Sequence, residues 1–238
     1  MGFEGKNILV VGGSSGIGFA LVKQLQLAGA KVFNASRHPC VDWPDGVVHI
    51  ELDVLTDTTP LATKLPEQLH GLIYCVGSIN LKPFHRLTKD DFLNDYRLNV
   101  IGAAEVIQQS LKALKQSQNA SVVLFSTVAA KIGMGFHASV AAAKSGVQGL
   151  AISLAAELAV NHIRVNVIAP SLTDTPLAAN LLNTPEKREA SNKRHPLGKF
   201  GTADDIASSA KFLLSDESSW MTGQIIGIDG GLSALRLL

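Results

Sequence analysis

Residues 11–18 read Val11-Gly12-Gly13-Ser14-Ser15-Gly16-Ile17-Gly18 and connect a short apolar run, Asn7–Val11, to a segment of helical period, Ile17–Ala28. A glycine-rich turn between a strand and a helix lets backbone N–H groups approach a phosphate at the helix N-terminus. The spacing is G-x-x-x-G-x-G and not the more familiar G-x-G-x-x-G. Glycine also serves ordinary strand–helix turns, so the position after the first strand is what favours a dinucleotide site here.

Short apolar runs alternate with longer helical patterns along the rest of the chain. The predicted strands are Asn7–Val11, Lys31–Ala35, Val47–Glu51, Leu72–Val76, Ser121–Phe125, Arg164–Ile168 and Ile225–Ile228. The predicted helices are Ile17–Ala28, Lys89–Leu114, Val140–Val160 and Ala203–Leu214. Continuous apolar strands are typical of sheets covered by helices on both faces, and strand–helix–strand repetition implies right-handed crossovers. We therefore predict an α/β fold over residues 1–238, a single-domain Rossmann-type doubly wound parallel sheet of about seven strands.

The composition argues against several partners and compartments. The chain has 238 residues, of which 46% are hydrophobic, and 21 basic residues balance 20 acidic ones to a formal net charge of +1. That balance gives no electrostatic attraction for nucleic acid. No stretch approaches the ~20 apolar residues of a transmembrane helix, and no signal-peptide pattern opens the chain. Two cysteines fit a reducing compartment, and the histidines show no metal-ligand spacing. We expect a soluble, cytoplasmic protein without a membrane, nucleic-acid or metal partner.

The end of the second predicted strand bears on which dinucleotide binds. An acidic residue there would bind the ribose hydroxyls of NAD, but the strand ends at Ser36-Arg37. The guanidinium of Arg37 suits a 2′-phosphate, which favours NADP. The other interpretation is a solvated surface arginine, and Ser15 is neutral where a second basic residue would have strengthened the prediction. NADP is therefore preferred, with NAD possible.

Motifs spread from about Lys6 to Gly231 together resemble the short-chain dehydrogenase/reductase family. The motifs are Gly12–Gly18, Asp53-Val54, Gly77, Leu98-Asn99-Val100, Pro170–Thr175, Pro196–Gly201 and Asp229-Gly230-Gly231. The late motifs most resemble the branch that contains 3-oxoacyl-carrier-protein reductases. The resemblance implies an NAD(P)-dependent oxidoreductase that acts on a carbonyl or alcohol.

The resemblance also assigns residues to the cofactor. Asp53-Val54 is similar to the acidic–apolar pair that contacts the adenine, and Thr175 comes near the nicotinamide end. The full set of cofactor residues that the resemblance and the turn chemistry imply is Gly12, Ser14, Ser15, Gly16, Ile17, Gly18, Ser36, Arg37, Asp53, Val54, Gly77, Lys144, Pro170 and Thr175.

The catalytic residues depart from the family pattern at one position. The family uses a Tyr-x-x-x-Lys pair on one helix face and a serine that positions the substrate carbonyl. Lys144 fits the lysine, which places Val140 at the tyrosine position, and Thr127 stands thirteen residues earlier at the serine position. Asn99 matches the family asparagine. Valine can neither donate nor accept a proton, whereas a general acid is worth about 10²–10⁴ in rate.

His137, three positions before Val140, is a candidate substitute for the missing proton donor. If helical geometry extends that far, residues 137, 140 and 144 share one face, and an imidazole that titrates near ~6.5 could relay the proton. The alternative is a histidine that fills pocket space or caps the helix. We interpret the neighbouring Ser139 as the helix N-cap.

Two functions stay open at this point. The first is an NADP-preferring oxidoreductase whose catalytic residues are Lys144, Thr127, Asn99 and His137. The second is a non-catalytic NADP-binding protein, a pseudoenzyme or redox sensor. The irregular segment Ser171–Phe200, with three prolines, is predicted to be a substrate lid. Family resemblance and the two long helical patterns predict a homotetramer or homodimer.

Overall fold

A computed structural model describes residues 2–236, and within them seven parallel strands form one sheet. Counting a separate pair, β7 and β8, the nine strands of residues 2–236 are β1 (Asn7–Val11), β2 (Lys31–Ser36), β3 (Val48–Glu51), β4 (Gly71–Tyr74), β5 (Ser121–Phe125), β6 (Arg164–Pro170), β7 (Thr173–Asp174), β8 (Gly201–Thr202) and β9 (Ile225–Ile228). The sheet order is β3-β2-β1-β4-β5-β6-β9, and β7 pairs with β8 separately. The direction of winding reverses between β1 and β4. In such a sheet, ligands bind outside the carboxyl ends of the strands at this point.

Helices cover both faces of the sheet, as the continuous apolar strands predict. They are α1 (Gly16–Leu27), α2 (Pro60–Lys64), α3 (Lys89–Tyr96), α4 (Gly102–Gln116), α5 (Ala138–Leu158), α6 (Pro185–Arg194) and α7 (Ala203–Leu214). Successive side chains of β1 point to opposite faces, so Leu9 packs in the core under α4 and α5, whereas Ile8 and Val10 pack under α1 and α7. The predicted fold class is confirmed.

The prediction of one continuous helix over Lys89–Leu114 is wrong, because the segment is interrupted. A π-helical turn, Arg97–Ile101, separates α3 from α4. Within that turn the side-chain amide of Asn99 donates to the Asp95 carbonyl oxygen at 2.8 Å. A π-helical turn adds a residue locally, often at a functional site, and the hydrophobic period of the sequence does not reveal it.

The predicted lid segment is more regular than its sequence suggests. Residues 171–200 contain β7, a 3₁₀ turn (Pro176–Leu181) and α6. Thr184 caps α6 by accepting a hydrogen bond from the Lys187 backbone N–H, with Pro185 at the first helical position. No helix within residues 2–236 has the length and apolarity needed to cross a membrane.

Candidate functional site

A cleft of about 440 Å³ opens at the carboxyl ends of β1, β2 and β4, where the winding reverses. The predicted cofactor residues that line it are Gly12, Ser14, Ser15, Gly16, Ile17, Gly18, Ser36, Arg37, Asp53, Val54, Gly77 and Thr175. Lys144 and Pro170 are not part of this lining. Sequence reasoning did not assign His38, Leu52, Leu98 and Leu177 to the cofactor site, although they line the cleft. Leu98 belongs to the Leu98-Asn99-Val100 motif, whereas the other three belong to no recognisable motif.

The turn at the floor of the cleft requires glycine at two positions. Gly12 has φ +87°, and a Cβ there would lie 3.0 Å from Val76 Cγ2. A Cβ on Gly18 would lie 2.3 Å from the carbonyl oxygen of Gly12, closer than real Cβ contacts come. The start of α1 therefore packs directly on the turn, and no side chain intervenes between the backbone and the cleft.

Two residues that sequence reasoning missed hold the turn in place. Asn34 Oδ1 accepts a 2.7 Å hydrogen bond from the Gly13 backbone N–H, and Trp43 Nε1 donates to the Gly13 carbonyl oxygen at 2.8 Å. The Gly13 peptide is thus hydrogen-bonded on both sides. Asn34 interrupts the apolar residues Val32, Phe33 and Ala35, and a buried amide needs a partner. That pattern indicates that Asn34 has a partner but not that the partner is Gly13.

Arg37 is the exposed cation at the end of β2. The hydroxyl of the preceding Ser36 donates to the His38 carbonyl oxygen at 2.8 Å and accepts from Asn34 Nδ2 at 2.9 Å. Its single proton is therefore already used in a hydrogen bond within the chain. Within residues 2–236 Arg37 forms no ion pair. An exposed guanidinium at the cleft rim is free to bind an anion.

Lys144 and Asn99 meet behind Gly77 at the other end of the cleft. A Cβ on Gly77 would lie 3.3 Å from Lys144 Nζ and 3.5 Å from Asn99 Oδ1. Lys144 Nζ donates to the Phe125 carbonyl oxygen at 2.9 Å, and burial lowers its pKa to about 8. Asn99 Oδ1 is buried and has no hydrogen-bond partner in the described chain. The structure thus brings together two of the predicted catalytic residues.

Of the other predicted catalytic residues, Thr127 follows β5 and His137 directly precedes α5. Thr127 is half-buried and its hydroxyl oxygen accepts from the Ala129 backbone N–H at 3.3 Å. Its neighbour Ser126 is buried and donates to the Lys144 carbonyl oxygen at 3.0 Å. Thr127 is therefore the more accessible hydroxyl. Val140 is 6% exposed, one helical turn before Lys144.

The interpretation of Ser139 as the N-cap is wrong, because α5 begins one residue earlier, at Ala138. Ser139 is buried in the first turn, and its hydroxyl has no partner among residues 2–236. His137 occupies the N-cap position with φ −103° and ψ 10°, so helical geometry does not extend to it. Its ring Nδ1 lies 2.6 Å from the Gly135 carbonyl oxygen, and the residue is half-buried.

Comparison with known proteins identifies the family. Residues 11–233 match the family model described as enoyl-(acyl carrier protein) reductase. The chain is 31% identical to a tropinone reductase homolog of Arabidopsis thaliana, over 97% of the chain and 94% of that protein. It belongs to the short-chain dehydrogenase/reductase family.

Other members support this assignment. A 3-oxoacyl-[acyl-carrier-protein] reductase of Thermotoga maritima is 32% identical, over 98% of the chain and 99% of that protein. The solved structure of a short-chain dehydrogenase/reductase from Mycobacterium ulcerans has a TM-score of 0.90 at 29% identity, covering 99% and 92% of the two chains. The family resemblance seen in the sequence is confirmed, and oxidoreductase chemistry is the functional class of this short-chain dehydrogenase/reductase.

The cleft fits the nicotinamide dinucleotide that short-chain dehydrogenases/reductases use. A side chain at Gly12 or Gly18 would fill the space next to the backbone. Because both residues are glycine, the turn stays open for the close approach of a phosphate. The buried, unpaired Asn99 Oδ1 leaves an acceptor beside Lys144. Among residues 2–236 no group of three metal-ligating side chains lies close together.

Proposed function

We propose that the chain is an NADP-preferring short-chain dehydrogenase/reductase that interconverts a small-molecule carbonyl and its alcohol. One observation carries the proposal: a single cleft joins the exposed Arg37 and the glycine turn to Gly77, and the Lys144 ammonium lies directly behind Gly77. A cation for the 2′-phosphate and a buried cation for the reacting end thus stand at opposite ends of one site. The proposal is tested by the cofactor titration below and by the turnover measurements in the Discussion.

The dinucleotide would supply or accept the hydride when bound, and the chain supplies the binding groups. The glycine turn would bind the pyrophosphate through backbone N–H groups at the start of α1. Asp53 and Val54 would contact the adenine, and Pro170 and Thr175 the nicotinamide end. Lys144, in its charged form, would bind the nicotinamide ribose, and Asn99 would anchor a water that leads to it.

Proton transfer is the step for which the family uses a tyrosine, and in this chain Val140 stands at that position. Val140 has no group that can donate or accept a proton, so we assign proton transfer to His137. Thr127 would hold the substrate oxygen. Because His137 Nδ1 lies against the Gly135 carbonyl oxygen, Nδ1 carries a proton and Nε2 is left for the substrate. A second proton on Nε2 can be donated to a developing alkoxide. Removal of a proton from an alcohol is the same step in reverse.

The second candidate function is a non-catalytic NADP-binding protein. The buried Val140 side chain favours it, since this apolar group stands where the family places its proton donor. Both candidates need the same cofactor site, so cofactor binding alone does not separate them. Turnover of a carbonyl substrate does.

We expect NADPH to bind about 10–100-fold more tightly than NADH, because a charge-assisted hydrogen bond contributes about 1.5–3 kcal/mol. Arg37→Ala should remove this preference and leave NADH affinity unchanged. Fluorescence titration of both cofactors measures the effect, with Arg86→Ala, an exposed arginine outside the cleft, as the matched control. Equal affinities in the wild type, or tighter NADH binding, would refute the NADP preference.

We also expect a homodimer or homotetramer in solution. Tyr96, Ile101 and Ile152, on α3, the π-helical turn and α5, are 41–50% exposed. Exposed apolar groups on packed neighbouring helices favour a subunit contact. Ile152→Lys should lower the mass measured by light scattering. Leu27→Lys, on α1 at the other face of the sheet, should not. A wild-type monomer at micromolar concentration contradicts the prediction.

Two further assignments stay predictions. Segment 171–200 is proposed as the substrate lid. Within it, an Arg188–Asp174 ion pair at 2.6 Å and a 2.8 Å hydrogen bond between His195 and Ser171 connect α6 and the residue after it to the start of the segment. The second assignment that stays a prediction is a cytoplasmic location.

A further inference from the structure

Lys144 is a buried cation beside a valine. A charge taken out of water destabilises the fold unless it is paired and hydrogen-bonded. Lys144 is 7% exposed, and its ammonium donates to one carbonyl oxygen, that of Phe125. Val140, one turn earlier on α5, offers no polar atom. The charged form of Lys144 therefore needs a negative group from another element.

Asp95 on α3 is the candidate for that group by position and burial, although the two side chains form no direct ion pair within residues 2–236. It is 3% exposed, and its Oδ1 accepts a 2.7 Å hydrogen bond from the Ser78 hydroxyl. Its Oδ2 is the one carboxylate oxygen in residues 2–236 that is fully buried without a hydrogen-bond partner. Asp95 lies one turn before Asn99, whose side-chain amide donates to the Asp95 carbonyl oxygen. Asn99 in turn lies close to Lys144 behind Gly77.

We propose that Asp95 is the counter-ion of Lys144 and keeps the ammonium protonated in a site that lacks the family tyrosine. It is a positioning residue, since it acts on the reacting end through Lys144. Its consequence for turnover rests on the proposed oxidoreductase function. Its effect on the protonation of Lys144 does not.

The electrostatics around Lys144 agree with this assignment. Burial is the largest influence on the Lys144 pKa and lowers it, while Cys75 and Asp95 oppose that fall. Burial raises the pKa of the Cys75 thiol to about 12, so the thiol is neutral at physiological pH and contributes no negative charge. Asp95 is then the acidic group that holds the ammonium charged near neutral pH.

A purely structural role for Asp95 makes a different prediction. Asp91, one turn earlier on α3, accepts hydrogen bonds from Asn80 at 3.0 Å and Lys82 at 2.6 Å. With the bond from Ser78 to Asp95, α3 thus anchors the loop that follows Gly77. Anchoring needs a hydrogen-bond acceptor at residue 95 but no charge. Asp95→Asn keeps the acceptor and removes the charge, whereas Ser78→Ala removes the hydrogen bond and keeps the charge.

The deciding measurement is a pH titration of the lysine side chains by NMR in the cofactor-free protein, with the Lys144 signal assigned by Lys144→Arg. We expect Asp95→Asn to move the Lys144 midpoint to lower pH by about one unit, and Ser78→Ala to leave it in place. If Asp95→Asn does not fold, Asp95→Ser serves as a second charge-free variant. An unchanged midpoint without the carboxylate, or an equal shift in Ser78→Ala, overturns the proposal.

Activity provides a separate readout. Loss of the Lys144 proton should reduce carbonyl reduction as the pH rises through its pKa of about 8. In Asp95→Asn this decline should begin at lower pH. If the wild type turns over no carbonyl compound, the proposed function fails, and the NMR midpoints still decide the role of Asp95.

Discussion

Gly18→Ala is expected to weaken NADPH binding by at least about 100-fold. The added Cβ would lie 2.3 Å from the Gly12 carbonyl oxygen, 2.9 Å from the Gly12 carbonyl carbon and 3.0 Å from Gly13 Cα. All three atoms are backbone, so the clash cannot be relieved by a rotamer change. The turn or the start of α1 must move, and misplacing several phosphate-binding N–H groups at once costs more than the ~1.4 kcal/mol that a tenfold loss represents. Titration of NADPH by fluorescence or calorimetry measures the loss.

Gly133→Ala is the matched control, because a Cβ there meets nothing within 4 Å and the residue is not at positive φ. It should bind NADPH as the wild type does. Thermal unfolding of both variants establishes that they are folded. If Gly18→Ala retained NADPH affinity within a few-fold of the wild type, the cleft at the glycine turn would not be the cofactor site.

Val140→Tyr is expected to raise turnover of small ketones with NADPH by about 10²-fold or more if the missing acid limits the reaction. Position 140 lies one turn before Lys144 on α5. A phenol there would meet the ammonium, which favours phenolate and lowers the pKa of the phenol from its usual ~10. Val140→Phe adds the same ring without the hydroxyl and separates the proton from any change in packing. NADPH consumption followed by absorbance is the readout.

His137→Ala, assayed beside these variants, separates the two proton donors. If His137 supplies the proton, its loss should abolish turnover, and Val140→Tyr should bring no gain, because the new ring crowds the site. If the tyrosine position is decisive, Val140→Tyr should restore activity and His137→Ala should matter little. Should neither substitution change turnover, both catalytic assignments fail and the non-catalytic cofactor-binding function is the better one.

The regular parts of the fold could be predicted because their determinants are contiguous in the chain. β5, for example, is apolar from Val122 to Phe125, and the ends of β5 and β9 coincide with the predicted ones. The glycine turn could be predicted for the same reason, since residues 11–18 contain the strand end, the glycines and the helix start. The predicted cofactor residues of the cleft then come together because parallel strands end at one edge of the sheet.

Features that depend on residues distant in sequence could not be predicted. The π-helical turn that places Asn99 is one example, because the apolar period continues through it. Asn34 and Trp43 are others, since neither shows from its neighbours that it bonds the Gly13 peptide. The interpretation of Ser139 was wrong because a serine before a helical pattern usually caps it, whereas α5 starts at Ala138, two residues before the predicted start at Val140.

The sequence alone determined the fold class, and it predicted the dinucleotide turn and the replacement of the family tyrosine by Val140, because each depends on residue types at fixed spacing. Tertiary structure alone decided the environment of Lys144. In sequence, Asp95 belongs to Lys89–Tyr96, a mostly polar stretch that is typical of a solvated helix face. Packing of α3 against α5 and the loop after β4 buries the Asp95 carboxylate, which accepts a hydrogen bond from Ser78, the residue after Gly77. No local pattern predicts that burial, since burial is set by what the rest of the chain packs against a side chain.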